Sequence, residues 1–344
     1  MVLRFLSQCF DSTGLNAVVR KYTRNRIVVL MYHGLVRDDD AVDGWSFMRA
    51  AEFDRQMAYL SQHCEVISLR QARLENGKPS KRKRVVITFD DGYGSNYHIA
   101  FPILKKYGFP ATVFVATKFV ETGDMFWYDK VSAAVRHWKE RTVDLTRWGL
   151  GVFDLRGGAA PARWSDTQRI LTRMKALTAD GREEIANHLI AACKDESFRA
   201  AAYEPLSPAM LAEMTASGLV EIAAHTHGHE MLIQHPSAEV RETLLLANTL
   251  IAGWTGGPPK SFSYPNGDFN DTVKECVREA GYDCALTTEI GEWTAQSDPL
   301  QIPRVGIGAY HSLAEFAVKV SGTGRIFEIL WFLMRRGRPS ARRE

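Results

Sequence analysis

Short apolar runs recur along the chain, each closed by a polar break and followed by a stretch of different periodicity. Ile27–Tyr32, Val85–Phe89, Ala111–Ala116, Val220–Ala224, Ser261–Tyr264, Cys284–Thr288 and Ile302–Ile307 are such runs. Each has strand length and is apolar or small on both faces, the pattern of strands in a covered parallel sheet. Between the runs, apolar residues return every three or four positions. Phe53, Met57 and Leu60 mark a helix over Glu52–His63, and further helices are predicted over Asn96–Tyr107, Pro208–Ser217, Glu239–Trp254 and Thr272–Ala280. Gly108, Gly218 and Gly281 stand where three of these helices stop. Seven or so strands alternating with helices predict an α/β fold, a barrel or near-barrel of parallel strands.

Residues 118–205 break this rhythm. Phe126-Trp127-Tyr128 opens a helix through Trp138, Asp144 to Ala162 is rich in Gly and turn residues, and two helices follow over Ser165–Leu177 and Arg182–Cys193. The segment reads as a mostly helical insertion with a small core of its own, its aromatic residues placed to overhang the strand ends. The expected organisation is an amphipathic N-terminal helix within residues 1–25, a catalytic domain over 26–320 and a basic, apolar tail over 321–344.

Charge changes this picture little. The net charge is +3 over 344 residues, so no nucleic-acid partner is indicated. The run Lys81-Arg82-Lys83-Arg84 reads as a solvated surface. Arg325 to Arg336 encloses a short aromatic and apolar stretch suited either to a packed final helix or to a membrane interface. No apolar run reaches the ~18 residues of a membrane span, and the first residues lack the long apolar core of a signal peptide. Five scattered cysteines without a CxxC argue against a disulfide framework or a thiolate zinc site. The expected location is cytoplasmic, peripheral at the inner membrane if the tail binds lipid.

The chemistry gathers at strand ends. The run Val85–Phe89 feeds directly into Asp90, Asp91 and Gly92, and carboxylates at the C-terminal end of a buried strand are costly unless used. A second strand ends in His225-Thr226-His227-Gly228-His229, where one helical turn would set His225 and His229 on the same side, with His227 turned away. Two imidazoles and one carboxylate make an open divalent-metal site. Adjacent residues leaving a strand point apart, so one aspartate can bind metal while its neighbour takes a proton from water.

Thr88-Phe89-Asp90-Asp91-Gly92 followed by His225-Thr226-x-x-His229 resembles the polysaccharide deacetylases related to the rhizobial chitooligosaccharide deacetylase, and Phe262–Gly267 is similar to that family's third motif. The resemblance covers roughly residues 26–116 and 206–308. It implies a distorted (β/α)7 barrel and de-N-acetylation of N-acetylhexosamine residues in a glycan, an exopolysaccharide or its lipid-linked precursor. By resemblance Asp90 is the base, and Asp91, His225 and His229 hold a metal: zinc, with cobalt, nickel or manganese as substitutes. Pro265, Asn266 and Tyr93 fall on the substrate and oxyanion side. Two departures stand out. No Arg precedes Phe262 to orient the base, which leaves Arg304 as the candidate. The late Leu-x-x-His motif that carries the general acid is missing. His33, closing the first strand as in the biofilm poly-N-acetylglucosamine deacetylases, takes that role, with His311 as rival. Deformylation of a lipid-linked amino sugar and a catalytically silent glycan-binding module are the alternative functions.

Overall fold

The structure is a computed structural model that describes residues 7–8, 12–40, 44–155, 160–193 and 201–322. The C-terminal tail, and with it the membrane-interface expectation, lies outside the described residues, as does much of the segment before Leu15. The N-terminal helix is described over Leu15–Thr23. Eight strands share one sheet: β1 (Ile27–Tyr32), β2 (Cys64–Val66), β3 (Lys83–Phe89), β4 (Ala111–Val115), β5 (Val220–Ala224), β6 (Ser261–Ser263), β7 (Cys284–Leu286) and β8 (Val305–Gly306). Every pairing is parallel, in the order β7-β6-β5-β4-β3-β1-β8, with β2 beside the start of β3. The two ends of this order meet through Leu286 and Ile302, reinforced by backbone bonds from Ile302 to Ala285, Thr287 to Ile302 and Arg304 to Glu289 at 2.8–2.9 Å. The sheet therefore curls into a distorted barrel, closed by the stretch leading into β8.

Alternation along β1 separates two cores. Ile27 and Val29 face inward with Val86, Phe114, Ala223, Leu286 and Ile302, while Val28, Leu30 and Tyr32 face outward against Phe53, Met57 and Phe89. Asp90 continues the inward row of Val86 and Thr88. The registers Tyr32 to Phe89, Phe89 to Val113, Val115 to Ala224 and Ala224 to Phe262 bring His33, Asp90, Asp91, His225 and Ser263 to the same rim.

Three sequence expectations need correction. Lys83 and Arg84 are not solvated: both belong to β3 and are 1% exposed. Lys83 pairs with Glu292, and Arg84 donates to the carbonyls of Glu75 (2.8 Å) and Lys78 (2.6 Å), so each cation finds partners inside the fold. The helix beginning at Asn96 starts with a wide π turn over Asn96–Ala100 before becoming regular over Phe101–Tyr107. The Gly-rich stretch of the insertion contains an antiparallel hairpin, Thr142–Asp144 with Val152–Asp154, its connection turned by Gly149 and Gly151 at positive φ. That hairpin packs Val143 and Phe153 onto the helices Trp127–His137, Ala160–Met174 and Ala179–Cys193, so the insertion does have its own core, with Val131, Ile170, Met174, Ile185 and Leu189 buried in it.

Candidate active site

A cleft of about 430 Å³ opens at the rim where the strands end. His33, Asp90, Asp91, His225, His229 and Asn266 line it from the barrel, and Trp127, Tyr128, Asp129, Trp164 and Tyr203 line it from the insertion side.

Two adjacent aspartates leave β3 in different directions because Asp91 adopts a left-handed backbone (φ 77°), followed by Gly92 (φ 89°). Asp90 stays on the inward row and meets Arg304, which is fully buried. The pair is bidentate, Nη1 to Oδ1 at 2.7 Å and Nη2 to Oδ2 at 2.6 Å. Arg304 is itself fixed by the Thr287 carbonyl (2.9 Å) and the Ser263 hydroxyl (2.8 Å). Burial, the largest single influence, would raise the Asp90 carboxyl, but the charge and hydrogen bonds of Arg304 together with the nearby His225 and His33 hold the group below the usual carboxylate range.

Asp91 turns to the histidines. Its Oδ1 lies 3.5 Å from His225 Nε2 and 3.4 Å from His229 Nε2, and the three ligand atoms fall within 4.8 Å of one another. The two carboxylate-to-imidazole separations are close to the edge of a tetrahedron with bonds of about 2.1 Å, and one carboxylate with two imidazoles is a zinc-type donor set. His225 Nδ1 is bonded to the Ser263 carbonyl at 2.7 Å, which directs the free lone pair of Nε2 into the cluster. The cluster fits a divalent cation. The Asp91 carboxyl is held well below its usual range: burial opposes ionisation, and the imidazoles of His225, His229 and His33 around it together overcome that. The segment 225–229 is not a helical turn. Thr226 (φ 63°) and His229 (φ 57°) are both left-handed, and this double reversal brings the two rings to a centroid separation of 4.8 Å. His227 points away, its Nδ1 paired with Thr117 Oγ1 at 2.9 Å.

His33 lines the cleft with its ring edge-on to Trp45 (5.6 Å between centroids). Its Nδ1 is buried without a partner. Burial lowers its pKa, opposed by the charges of Asp91 and Asp90. His311 is not among the residues lining the cleft, and its Nδ1 accepts from the Gly308 backbone beside the final helix Leu313–Ser321. Asn266 lines the cleft in a left-handed conformation (φ 57°) after the buried Pro265. Tyr93 does not reach the cleft. Its side chain is fully buried among Phe47, Phe119 and Phe126, and its hydroxyl donates to Asp129 at 2.8 Å.

Sequence reasoning missed Ser263 and Tyr128. Ser263 uses its carbonyl on His225 and its hydroxyl on Arg304, joining the two halves of the site. The Tyr128 ring lies tilted against His229, 5.3 Å between centroids, and its hydroxyl is buried near Asp91 and Asp129. The Ser263 signal was present in the Phe262–Gly267 motif, but only the β5–β6 register shows what it touches.

A family model described as polysaccharide deacetylase matches residues 77–285. The poly-beta-1,6-N-acetyl-D-glucosamine N-deacetylase of Escherichia coli K12 is 27% identical over 305 residues, covering 87% of this chain. The chain spans only 39% of that relative's length. Among solved structures, a polysaccharide deacetylase from Bacillus cereus superposes with TM-score 0.57 at 19% identity, covering 86% of this chain and 69% of that one. IcaB from Ammonifex degensii superposes with TM-score 0.55 at 20% identity, covering 86% and 97%. At these identities the two structures bear on the fold alone.

Proposed function

Because this chain belongs to the polysaccharide deacetylase family, we propose that it is a metal-dependent hydrolase that removes N-acetyl groups from the N-acetylhexosamine residues of a glycan, an exopolysaccharide or its lipid-linked precursor. The observation that carries the reading is the juxtaposition, in one cleft, of a bidentate Asp90–Arg304 pair and the Asp91, His225, His229 cluster. A divalent ion held by that cluster, zinc by the preference of its donor set, would act as a Lewis acid on the amide carbonyl and on water. The remaining work falls to the chain. Asp90, kept ionised by Arg304, takes a proton from the attacking water. The guanidinium fixes the carboxylate's orientation, so little reorganisation is needed as the proton arrives. The backbone N–H after Pro265 is assigned to the developing oxyanion. His33, at the end of the neighbouring strand β1, delivers a proton to the departing amine. The acetyl group leaves as acetate and the sugar keeps a free amine.

Supporting a reducing, cytoplasmic setting as part of the same proposal, Cys64, Cys193, Cys276 and Cys284 are all buried and unpaired. Among the described residues no helix is long and apolar enough to cross a membrane. The deciding experiment measures acetate released from a panel of N-acetylated oligosaccharides, with and without a chelator. Chelator-sensitive acetate release is expected, restored by zinc. Formate in place of acetate from an N-formylated panel, or metal-insensitive release, would overturn the reading.

A further inference from the structure

The insertion carries a basic corner of the cleft that amide hydrolysis does not use. Arg182 and Lys175 both line the cavity. Arg182 is only 4% exposed. Its Nη1 is anchored by the Leu177 carbonyl (2.6 Å) and Gln234 Oε1 (3.1 Å), and its guanidinium stands 5.6 Å over the Trp127 ring. The opposite edge is free: Nε is buried with no acceptor, and no hydrogen bond is made by Nη2 among the described residues. No carboxylate among the described residues pairs with it. Burial lowers its pKa with no neighbouring charge to offset the effect. Lys175 is exposed and likewise unpaired among the described residues. It stands in the turn just past the helix Ala160–Met174, after Gln168 and Thr172 on that helix, and all three line the cleft.

A buried guanidinium without an anion is costly, and one whose Nε–Nη2 edge stays open has the fork that receives a carboxylate or phosphate bidentately. Arg182 has this geometry, held ready by the Leu177 carbonyl and Gln234 on its other side. We propose that Arg182 and Lys175 form a subsite for a phosphate or carboxylate group carried by the glycan substrate, so that the cleft selects an anionic amino-sugar substrate over a neutral one. This rests on the deacetylase reading of the same cleft. The anion can come from two sources, a phosphate at the reducing end, as in a lipid-linked sugar, or a uronate within the chain.

The test uses the full-length, zinc-loaded protein. Calorimetric binding of N-acetylglucosamine 1-phosphate is compared with that of N-acetylglucosamine in the wild type and in Arg182→Gln, Arg182→Lys, Lys175→Gln and His229→Ala. The phosphorylated sugar is expected to bind more tightly. That preference should fall roughly 10- to 100-fold in Arg182→Gln, the range of a charge-assisted hydrogen bond, fall less in Arg182→Lys and Lys175→Gln, and survive in His229→Ala. Loss of the preference in His229→Ala with retention in Arg182→Gln would place the phosphate at the metal cluster and overturn the proposal. Should Arg182→Gln fail to fold, Lys175→Glu, at an exposed position, carries the same comparison, and an unchanged preference there overturns it too.

A kinetic arm compares acetate release from neutral, terminally phosphorylated and uronate-containing N-acetylated oligosaccharides. A higher kcat/KM for the phosphorylated substrate identifies the first source, and for the uronate substrate the second. Equal kcat/KM for all three refutes the subsite while leaving the deacetylase reading standing. No acetate from any of them, with charge-selective binding intact, refutes the deacetylase reading and leaves the subsite.

Discussion

On the barrel side of the cleft, the base, its arginine and one histidine are each held by a second group behind them. Asp90 is clamped by Arg304, Arg304 by Thr287 and Ser263, and His225 by Ser263. On the insertion side several polar groups that line the cleft lack such support: Gln168, Lys175 just past the end of its helix, and the unpartnered edge of Arg182. The backbone shows the same contrast. Among the described residues the non-glycine positions with positive φ are Asp91, Thr226, His229 and Asn266, and all four lie on the barrel rim. Left-handed residues of this kind cost on the order of 1–3 kcal/mol each and persist only where their surroundings hold them in place. The barrel wall therefore spends stability on fixing a few atoms for chemistry, and the insertion wall offers adaptable surface for recognition. Changes to the barrel wall should act on kcat and stability, and changes to the insertion wall on KM.

The largest effects follow from the aspartate pair and its acid partner. Asp90→Asn keeps the side chain's size and leaves Asp91, His225 and His229 in place, so metal content should be unchanged while kcat falls by roughly 10²–10⁴, the range of a lost general base. His33→Ala should also keep its metal and lose kcat, toward the lower end of that range. Acetate release and metal analysis on the same preparations check both. Near-wild-type turnover in Asp90→Asn removes the base assignment, and unchanged kcat in His33→Ala returns the acid role to another group.

Arg304→Met is next. It leaves Asp90 as an unpaired carboxylate in a site that is 3% exposed. Breaking such a buried pair from one side costs about 3–5 kcal/mol. Denaturant titration should show that loss, together with a lower kcat. The double variant Arg304→Met with Asp90→Leu should recover much of the stability and none of the activity, because it removes the stranded charge and the base together. A stability loss in the single variant below about 1 kcal/mol would mean that water reaches Asp90 and that the clamp is weaker than its geometry implies.

How much of this contrast could be read in advance follows the same division. Asp90, Asp91, His225 and His229 were legible because buried strands that end in charged or ligating residues stand out against their own hydrophobicity. The parallel sheet was legible from the alternation of apolar runs and amphipathic stretches. The local path of the histidines was not: spacing four apart suggested a helical turn, whereas the chain leaves β5 through two left-handed residues, and no side chain in His225-Thr226-His227-Gly228-His229 announces positive φ at Thr226 and His229. The position of the Tyr93 ring was not legible either, since proximity in sequence to Asp91 says nothing about which side of the Gly92 turn a ring will occupy. Arg304 could be named as a candidate, but its partner lies 214 residues away and is met only because the stretch before β8 closes the barrel. The insertion's wall was the least legible, because its cleft-lining residues depend on how a separately cored unit docks on the rim.

A smaller effect on the barrel side tests whether support behind a ligand matters as much as the ligand. Ser263→Ala removes the hydroxyl that accepts from Arg304 but leaves the carbonyl that orients His225. Metal affinity should then change little, and kcat should fall by about 10-fold through a looser Asp90–Arg304 pair, the lower end of the 10–100-fold span typical when outer-shell partners are removed. A strong loss of metal with kcat per bound metal unchanged would assign the hydroxyl to the histidine half of the site instead.

The smallest expected effect belongs to the insertion side. Trp164 is half-buried, lies 3.8 Å from where a side chain at Gly44 would stand, and lines the cleft along with Gln168, Thr172 and Lys175. It touches none of the groups that position Asp90 or the Asp91 cluster. An aromatic face of this kind contributes on the order of 0.5–1.5 kcal/mol by packing against a flat partner, so Trp164→Ala should raise KM for a glycan by roughly 2- to 10-fold and leave kcat close to the wild-type value. If kcat falls instead while KM holds, the insertion wall takes part in fixing the reacting geometry, and the division of labour between the two walls fails where it is weakest, at the seam where Gly44 of the barrel meets the insertion.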